Sequence, residues 1–310
     1  MICKNFILIS VIFILFLNIY SQKEKFTSIS SKRTGIVSMV TKQPDFHFWI
    51  DYHLNILGID HIFLRVEDAP EYKNIIDKYP NRITASYHKK KNINTKNNYH
   101  TIMDRQKDHV NKTCKKAKKL NIDYLFHCDS DELIHVISPK CNLKENFKKY
   151  LSNIEDIDSC IKCIHFKNFE AVFPKLSEKC FTTNKFIDCK KGGCLSYANG
   201  KSCGLVKKGA IFRGPHYFSG KVYNMPDNKI VVLHYDSCTF KQWFTKFNLL
   251  KYTDKKKLNK IPFPFYKKSI EHVNKCKDED ELCKSFYKKK KIIPYKKSIN
   301  LKYFNPYMSN

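Results

Sequence analysis

Acidic residues are scarce in this chain. Only 29 Asp and Glu stand against 57 Lys and Arg over 310 residues, a formal net charge of +28. Such a field favours polyanions or an anionic membrane surface. The companions that nucleic-acid binding needs are missing, however. There is no zinc-finger spacing and no aromatic RNA-binding signature, and the basic residues lie mostly in scattered lysine pairs and in the tail. Nucleic acid is therefore not expected as a partner. Lys and Asn are frequent everywhere, so biased base composition is a rival cause of the charge. No apolar run reaches the roughly 20 residues of a membrane span. The longest, Phe6 to Tyr20, is about 15 residues. No internal repeat is present.

What is there supports a globular chain of one large domain or two small ones. The apolar share is 42%, slightly low, but aromatic residues reach 14%, enough for a sizeable core. The Phe6–Tyr20 run, with Lys4 before it, fits a signal peptide or a short signal anchor over residues 1–21. Ile19 and Tyr20 make a poor cleavage site, so an anchor is favoured. Lys23, Lys25, Lys32 and Arg33 on its far side weaken any orientation drawn from charge. Residues 22–33 are polar, Ser- and Lys-rich, and read as a stem linker. The remainder is expected in the secretory (ER/Golgi) lumen, membrane-attached through the N-terminal segment, or secreted if that segment is cleaved.

Thirteen cysteines fit such a compartment, and seven fall between Cys141 and Cys203. Cys160 and Cys163 have metal-ligand spacing without a clear second pair. Cys189 and Cys194 flank Lys-Lys-Gly-Gly, which reads as a turn closed by a disulfide. Cys128 reads as a core residue. Asn111-Lys112-Thr113 is a glycan acceptor if exposed in the lumen.

Strands are expected at Gly35–Val40, Ile62–Val66 and Ile83–Tyr87, alternating with helices at Phe46–Leu57, Pro70–Tyr79 and Ile102–Leu120. The alternation implies parallel strands with crossover connections. A further strand runs from Ile122 into Asp129-Ser130-Asp131-Glu132. Two carboxylates one residue apart, where a buried strand stops, can reach one hard cation shared with a substrate phosphate. The alternative is an acidic turn that caps a helix. Glu67-Asp68 ends a second strand at the same sheet edge. Later, Leu143–Leu151 and Trp243–Leu250 read as helices, Cys160–Phe169 and Ile230–Tyr235 as strands. Beyond about Lys255 the chain is Lys-rich with few strand or helix signals.

The order Trp49-Ile50-Asp51-Tyr52-His53, Leu57-Gly58-Ile59-Asp60-His61-Ile62, Arg65-Val66-Glu67-Asp68-Ala69-Pro70, Arg105-Gln106 and Asp129-Ser130-Asp131-Glu132 resembles the family-2-like glycosyltransferases. Asn199-Gly200-Lys201-Ser202, Gly214-Pro215-His216 and Leu233-His234-Tyr235 continue the likeness, which covers roughly residues 35–250. The Cys-rich middle and Lys-rich tail depart from it. The resemblance implies an α/β chain of GT-A fold, with a mostly parallel Rossmann-like sheet flanked by helices. The catalytic domain would span 34–254, followed by a Lys-rich extension over 255–310. It implies transfer of a sugar from a nucleotide sugar to a glycan, protein or lipid acceptor, with Mn2+ or Mg2+.

Carried onto this chain, Asp129, Asp131 and His234 would hold the metal. Glu67 and Asp68 would accept hydrogen bonds from ribose or base, and Lys201 would face phosphate from a Gly-containing turn. Arg105 and Gln106 would orient the acids, and His216 would line the acceptor cleft. Inverting transfer also needs a base, for which Glu170 stands first and Asp188 second. Each has a plainer reading: a core histidine for His234, a helix cap before Pro70 for Glu67 and Asp68, a solvated lysine for Lys201, surface carboxylates for Glu170 and Asp188. The rival function is a non-catalytic lumenal glycan- or polyanion-binding protein. A metal-dependent hydrolase would need more His and Asp at strand ends.

Overall fold

A computed structural model describes residues 32–89, 101–138, 142–252, 256, 258, 261–276, 280–292 and 298–301. Four parallel strands form its first layer: β1 (Thr34–Val40), β2 (His61–Glu67), β3 (Ile83–His88) and β4 (Tyr124–His127). β1, β2 and β4 are largely apolar runs because both their faces are covered, whereas the edge strand β3 is mostly half-exposed. On one face Ile36, Leu64 and Phe126 meet Trp49 of α1 (Phe46–Asp51) and Phe147 of α4 (Leu143–Ser152). On the other, Val37, Phe63 and Leu125 meet Val110 and Ala117 of α3 (Ile102–Lys119). Alternate residues of β1, β2 and β4 thus enter two different cores. The short α2 (Lys73–Ile76) follows a 3-10 turn at Pro70–Tyr72. The expected helix over Phe46–Leu57 is regular to Asp51 and then widens into a π-turn at Tyr52–Ile56.

The remaining elements build two further features. β9 (Lys201–Leu205) runs antiparallel to β4 and β6 (Ile161–Phe166), and β12 (Lys221–Asn224) lies parallel to β6. The sheet order is β12-β6-β9-β4-β1-β2-β3, and four of its six pairs are parallel. A second, mostly antiparallel sheet has the order β14-β8-β7-β13-β5. Its strands are β5 (Glu132–Val136), β7 (Asn168–Ala171), β8 (Lys185–Asp188), β13 (Ile230–His234) and β14 (Ile299–Asn300). The chain crosses from the first sheet to the second at residues 128–131 and again at Lys167. The Ile122–Ile134 and Cys160–Phe169 stretches are therefore two strands each, because consecutive halves pair in different sheets. A small hairpin, β10 (Phe212–Gly214) with β11 (Tyr217–Phe218), covers β9.

The C-terminal part departs most from expectation. Besides a four-residue helix α5 (Ile154–Ile157), the described residues hold three later helices, α6 (Phe240–Leu250), α7 (Pro264–Val273) and α8 (Glu281–Lys291). These three pack around Trp243, Phe247, Phe265, Ile270, Val273, Phe286 and Tyr287. Lysines on their outer faces hide the apolar stripe from a composition reading. Residues from Arg33 onward form one compact unit. Disulfides join Cys189–Cys194, as expected, and also Cys180–Cys238 and Cys276–Cys283. Cys128 and Cys163 are buried free thiols, and Cys160 is an exposed one. Thr113 is buried within α3, and Asn111 Oδ1 accepts from the Phe212 amide at 3.2 Å, so the sequon is engaged in the fold. No described helix is long and apolar enough to cross a membrane. The Phe6–Tyr20 run, nearly all of the stem, Cys3 and Cys141 lie outside the described residues.

Candidate active site

The acidic turn is the hinge between the two sheets. The Glu132 amide donates to the Asp129 carbonyl at 3.1 Å and closes a four-residue turn. Ser130 Oγ donates to Gln43 at 2.6 Å, and the Trp49 indole donates to the Glu132 carbonyl at 2.8 Å. The turn is thereby fixed from both sides, and the two aspartates diverge into separate clusters.

Asp129 meets Lys201, the first residue of the neighbouring strand β9, at 2.5 Å. Gly200 before it has φ +65°, and a Cβ there would collide with the Phe166 carbonyl, so glycine sets this approach. Lys201 also lies 3.4 Å from Glu132, whose Oε2 accepts from the Asp129 amide at 2.8 Å. Gln106 of α3 donates to the other oxygen of Asp129 at 3.3 Å. Burial works against the charge of Asp129, but Lys201 and His127 outweigh it and hold the carboxyl well below its usual range. Burial likewise opposes charging Lys201, yet Asp129 and Glu132 keep it protonated. Burial pushes Glu132 well above the carboxylate range, and its Oε1 is enclosed without a hydrogen-bond partner. Lys201 is 2% exposed and works as an internal counter-ion on a strand, not as a solvated lysine in a turn.

Asp131 turns the other way. Its carboxylate, the His234 imidazole and the Asp236 carboxylate offer ligand atoms that all lie within 4.8 Å of one another. His234 Nε2 is 3.8 Å from Asp131 Oδ2. The Tyr235 amide donates to the Asp131 carbonyl at 2.8 Å, which locks the end of β13 to the turn. Asp236 Oδ1 accepts from Lys246 of α6 at 2.5 Å and from Ser237 at 3.1 Å. Asp236 Oδ2 is buried with no hydrogen-bond partner. Burial, reinforced by Asp129 and Asp236, raises the Asp131 pKa, whereas Lys246 and Lys291 overcome burial at Asp236 and keep it low. Two carboxylates, one of them with an orphaned oxygen, and an imidazole fit a divalent cation, and the imidazole suits Mn better than Mg.

The structure groups Asp131 and His234 with Asp236, where Asp129, Asp131 and His234 were expected together. Asp129 is drawn off by Lys201, and Asp236 stands in its place. The signal for Asp236 was the polar end of the Ile230–Tyr235 run, two residues past His234.

Other expected residues are placed as follows. Glu67 is 1% exposed and is gripped by Arg65 at 2.7 Å and Arg105 at 2.9 and 3.1 Å, so both its oxygens are occupied. Burial opposes its charge, but the two guanidinium groups lower its pKa. Arg105 therefore serves Glu67, while its neighbour Gln106 reaches Asp129. Asp68 is exposed in a left-handed turn at φ 53°, at the same edge as the acidic turn. Glu170 is not a free base, because it accepts from the amides of Leu195 and Ser196 and from Ser196 Oγ at 2.6 Å. Asp188 is paired with Lys167 at 2.6 Å and caps the turn at Cys189–Lys191. His216 bonds the Gly200 carbonyl at 2.7 Å, and Tyr197 lies between it and His234, each ring pair at 4.6 Å. Ser196, Lys246 and Lys291 carried no sequence signal.

No protein-family model matches this chain, and no curated protein matches it. Among solved structures it is similar to 4-diphosphocytidyl-2C-methyl-D-erythritol synthase from Anaerococcus prevotii DSM 20548, at 13% identity and a TM-score of 0.28, over 81% of this chain and 86% of that one. HddC from Yersinia pseudotuberculosis is similar at 10% identity and a TM-score of 0.31, over 68% and 97% respectively. UDP-glucose pyrophosphorylase complexed with UDP-glucose is similar at 10% identity and a TM-score of 0.25, over 83% and 99%. Likenesses this low leave the chemistry to be argued from the side chains.

Proposed function

We propose that this chain is a metal-dependent glycosyltransferase that moves a sugar from a nucleotide-sugar donor to an acceptor hydroxyl. The observation that carries the reading is the split of the acidic turn. One aspartate is neutralised by Lys201, and the other joins His234 and Asp236 in a cluster suited to a cation, both at the carboxyl edge of parallel strands. A bound Mn2+ or Mg2+ would offset charge on the leaving diphosphate. Asp131, His234 and Asp236 would hold that ion, and Lys246 keeps Asp236 ionised for the task. Asp129, already charge-compensated, stays an acceptor for donor hydroxyls. Glu67 orders Arg65 and Arg105 at the same edge, a place for donor contacts. Neither Glu170 nor Asp188 is assigned as the base. Three disulfides support an oxidising lumen, and the Phe6–Tyr20 run supports attachment to its membrane.

The test is nucleoside-diphosphate release from a panel of nucleotide sugars in the presence of Mn2+, with Asp236→Asn beside the wild-type chain. Release that EDTA stops, Mn2+ restores and the variant loses is expected. Full release in excess EDTA, or binding of glycans with no turnover of any donor, would overturn the reading in favour of a binding protein.

A further inference from the structure

His234 sits at the end of a relay that begins in the lysine-rich tail. Register pairs His234 of β13 with Glu170 of β7, so the two residues stand side by side. Ser196 bridges them, with Oγ 2.6 Å from Glu170 Oε2 and 3.1 Å from His234 Nδ1. A hydroxyl has one proton to give. Glu170 Oε2 already accepts from the Ser196 amide at 3.0 Å and approaches the hydroxyl more closely than the imidazole does. The hydroxyl proton therefore points at Glu170, and Ser196 Oγ can only accept from His234. This places a proton on Nδ1, and in the neutral ring it leaves the Nε2 lone pair on the side of Asp131 Oδ2, 3.8 Å away.

The far end of the relay is Lys291, the last residue of α8. Its side chain is only 2% exposed, and Nζ lies 3.6 Å from Glu170 Oε1. The rings of Phe173 and Phe265 flank Nζ at 5.5 and 5.8 Å. Its tail neighbours Lys288 and Lys289 are exposed. A buried lysine is costly unless paired, so this one is placed for Glu170. The Tyr287 hydroxyl donates to the Ser237 carbonyl at 2.9 Å and ties the same helix beside Asp236.

We propose that Ser196, Glu170 and Lys291 are positioning residues that hold His234 in its Nδ1–H tautomer, with Nε2 available as a ligand. Orientation of a ligating imidazole by a partner on its other nitrogen is a common device of metal sites. For the neutral ring the tautomer follows from the hydrogen bonds; its use toward a cation rests on the function proposed above.

The test uses the full chain, metal-free and 15N-labelled, with long-range 1H–15N correlation of the His234 ring assigned against His234→Gln. Wild type should show a protonated Nδ1 and a bare Nε2. Ser196→Ala should give mixed tautomers, and Ser196→Thr should restore the single form. In calorimetry, Ser196→Ala and Lys291→Met should each weaken Mn2+ binding by roughly 10- to 100-fold, with Ser196→Thr near wild type. A wild-type Nε2–H tautomer overturns the proposal even if every variant misfolds. So does a Ser196→Ala protein with unchanged tautomer and unchanged Mn2+ affinity. The expected tautomer in a wild-type chain that binds no Mn2+ supports the relay and removes the cation reading instead.

Discussion

Lowering the pH should destabilise this protein through histidines that the fold holds neutral. His53 is fully buried between α1 and β5. Its Nδ1–H donates to the Trp49 carbonyl at 2.9 Å, and its Nε2 accepts from the Ile134 amide at 3.2 Å. Both bonds require the neutral ring, since a second proton would face the Ile134 N–H. Burial, only partly opposed by the Trp49 carbonyl, lowers its pKa from 6.5 to about 3. His135, bonded to the Tyr52 hydroxyl at 2.9 Å, is likewise lowered by burial to about 3. The folded pKa lies below the unfolded one, so the unfolded chain takes up protons first. Stability is therefore complete above about 6.5 and is lost as the pH falls toward about 3. At about pH 5 each ring costs about 2 kcal/mol, and the pair about 4 kcal/mol. That is a large part of the roughly 5–15 kcal/mol that holds a typical domain. The assay is urea unfolding with chelator present, followed by the fluorescence of Trp49 and Trp243, at about pH 7.5 and about pH 5. In His53→Gln the amide keeps one donor and one acceptor but does not titrate here. The loss between the two pH values should shrink by about 2 kcal/mol relative to wild type. An identical loss in both proteins would refute the reasoning.

Three other outcomes are expected. Asp236→Asn should weaken Mn2+ binding by roughly 100-fold or more, beyond the range for outer-shell residues, as read by calorimetry. Lys201→Met strips Asp129 of its buried cation and should cost about 3–5 kcal/mol in denaturant unfolding, with Asp129→Asn in the same chain recovering part of it. Unchanged stability in the single variant would contradict the counter-ion role. Trp243→Ala should cost about 3–5 kcal/mol. A loss confined to local proteolysis of residues 261–292, with the main unfolding transition unmoved, would show instead that the last helices are a separable tail.

Local pattern made the parallel half legible. Apolar runs of strand length at Thr34–Val40, His61–Glu67 and Tyr124–His127, separated by helical periodicity, admit little besides crossover-connected parallel strands. The acids at their ends then fall on one edge whatever else the chain does. The short Cys189–Cys194 loop was legible for the same reason, since its closure is a matter of five residues. Tertiary structure alone decided the allegiance of each acid. Asp129 and Asp131 are one residue apart, yet the sheet switch between β4 and β5 sends one to Lys201 and the other to His234 and Asp236. Glu170 looked like an available base until two amides and a hydroxyl from residues 195–196 enclosed it. Lys246 and Lys291 are two lysines among many, and only packing of the last helices around Trp243 sets both against carboxylates and takes Lys291 out of water. The physical reason is common to all four cases. Backbone periodicity is a local property, whereas the charge and reach of a buried side chain depend on which distant group desolvates or neutralises it.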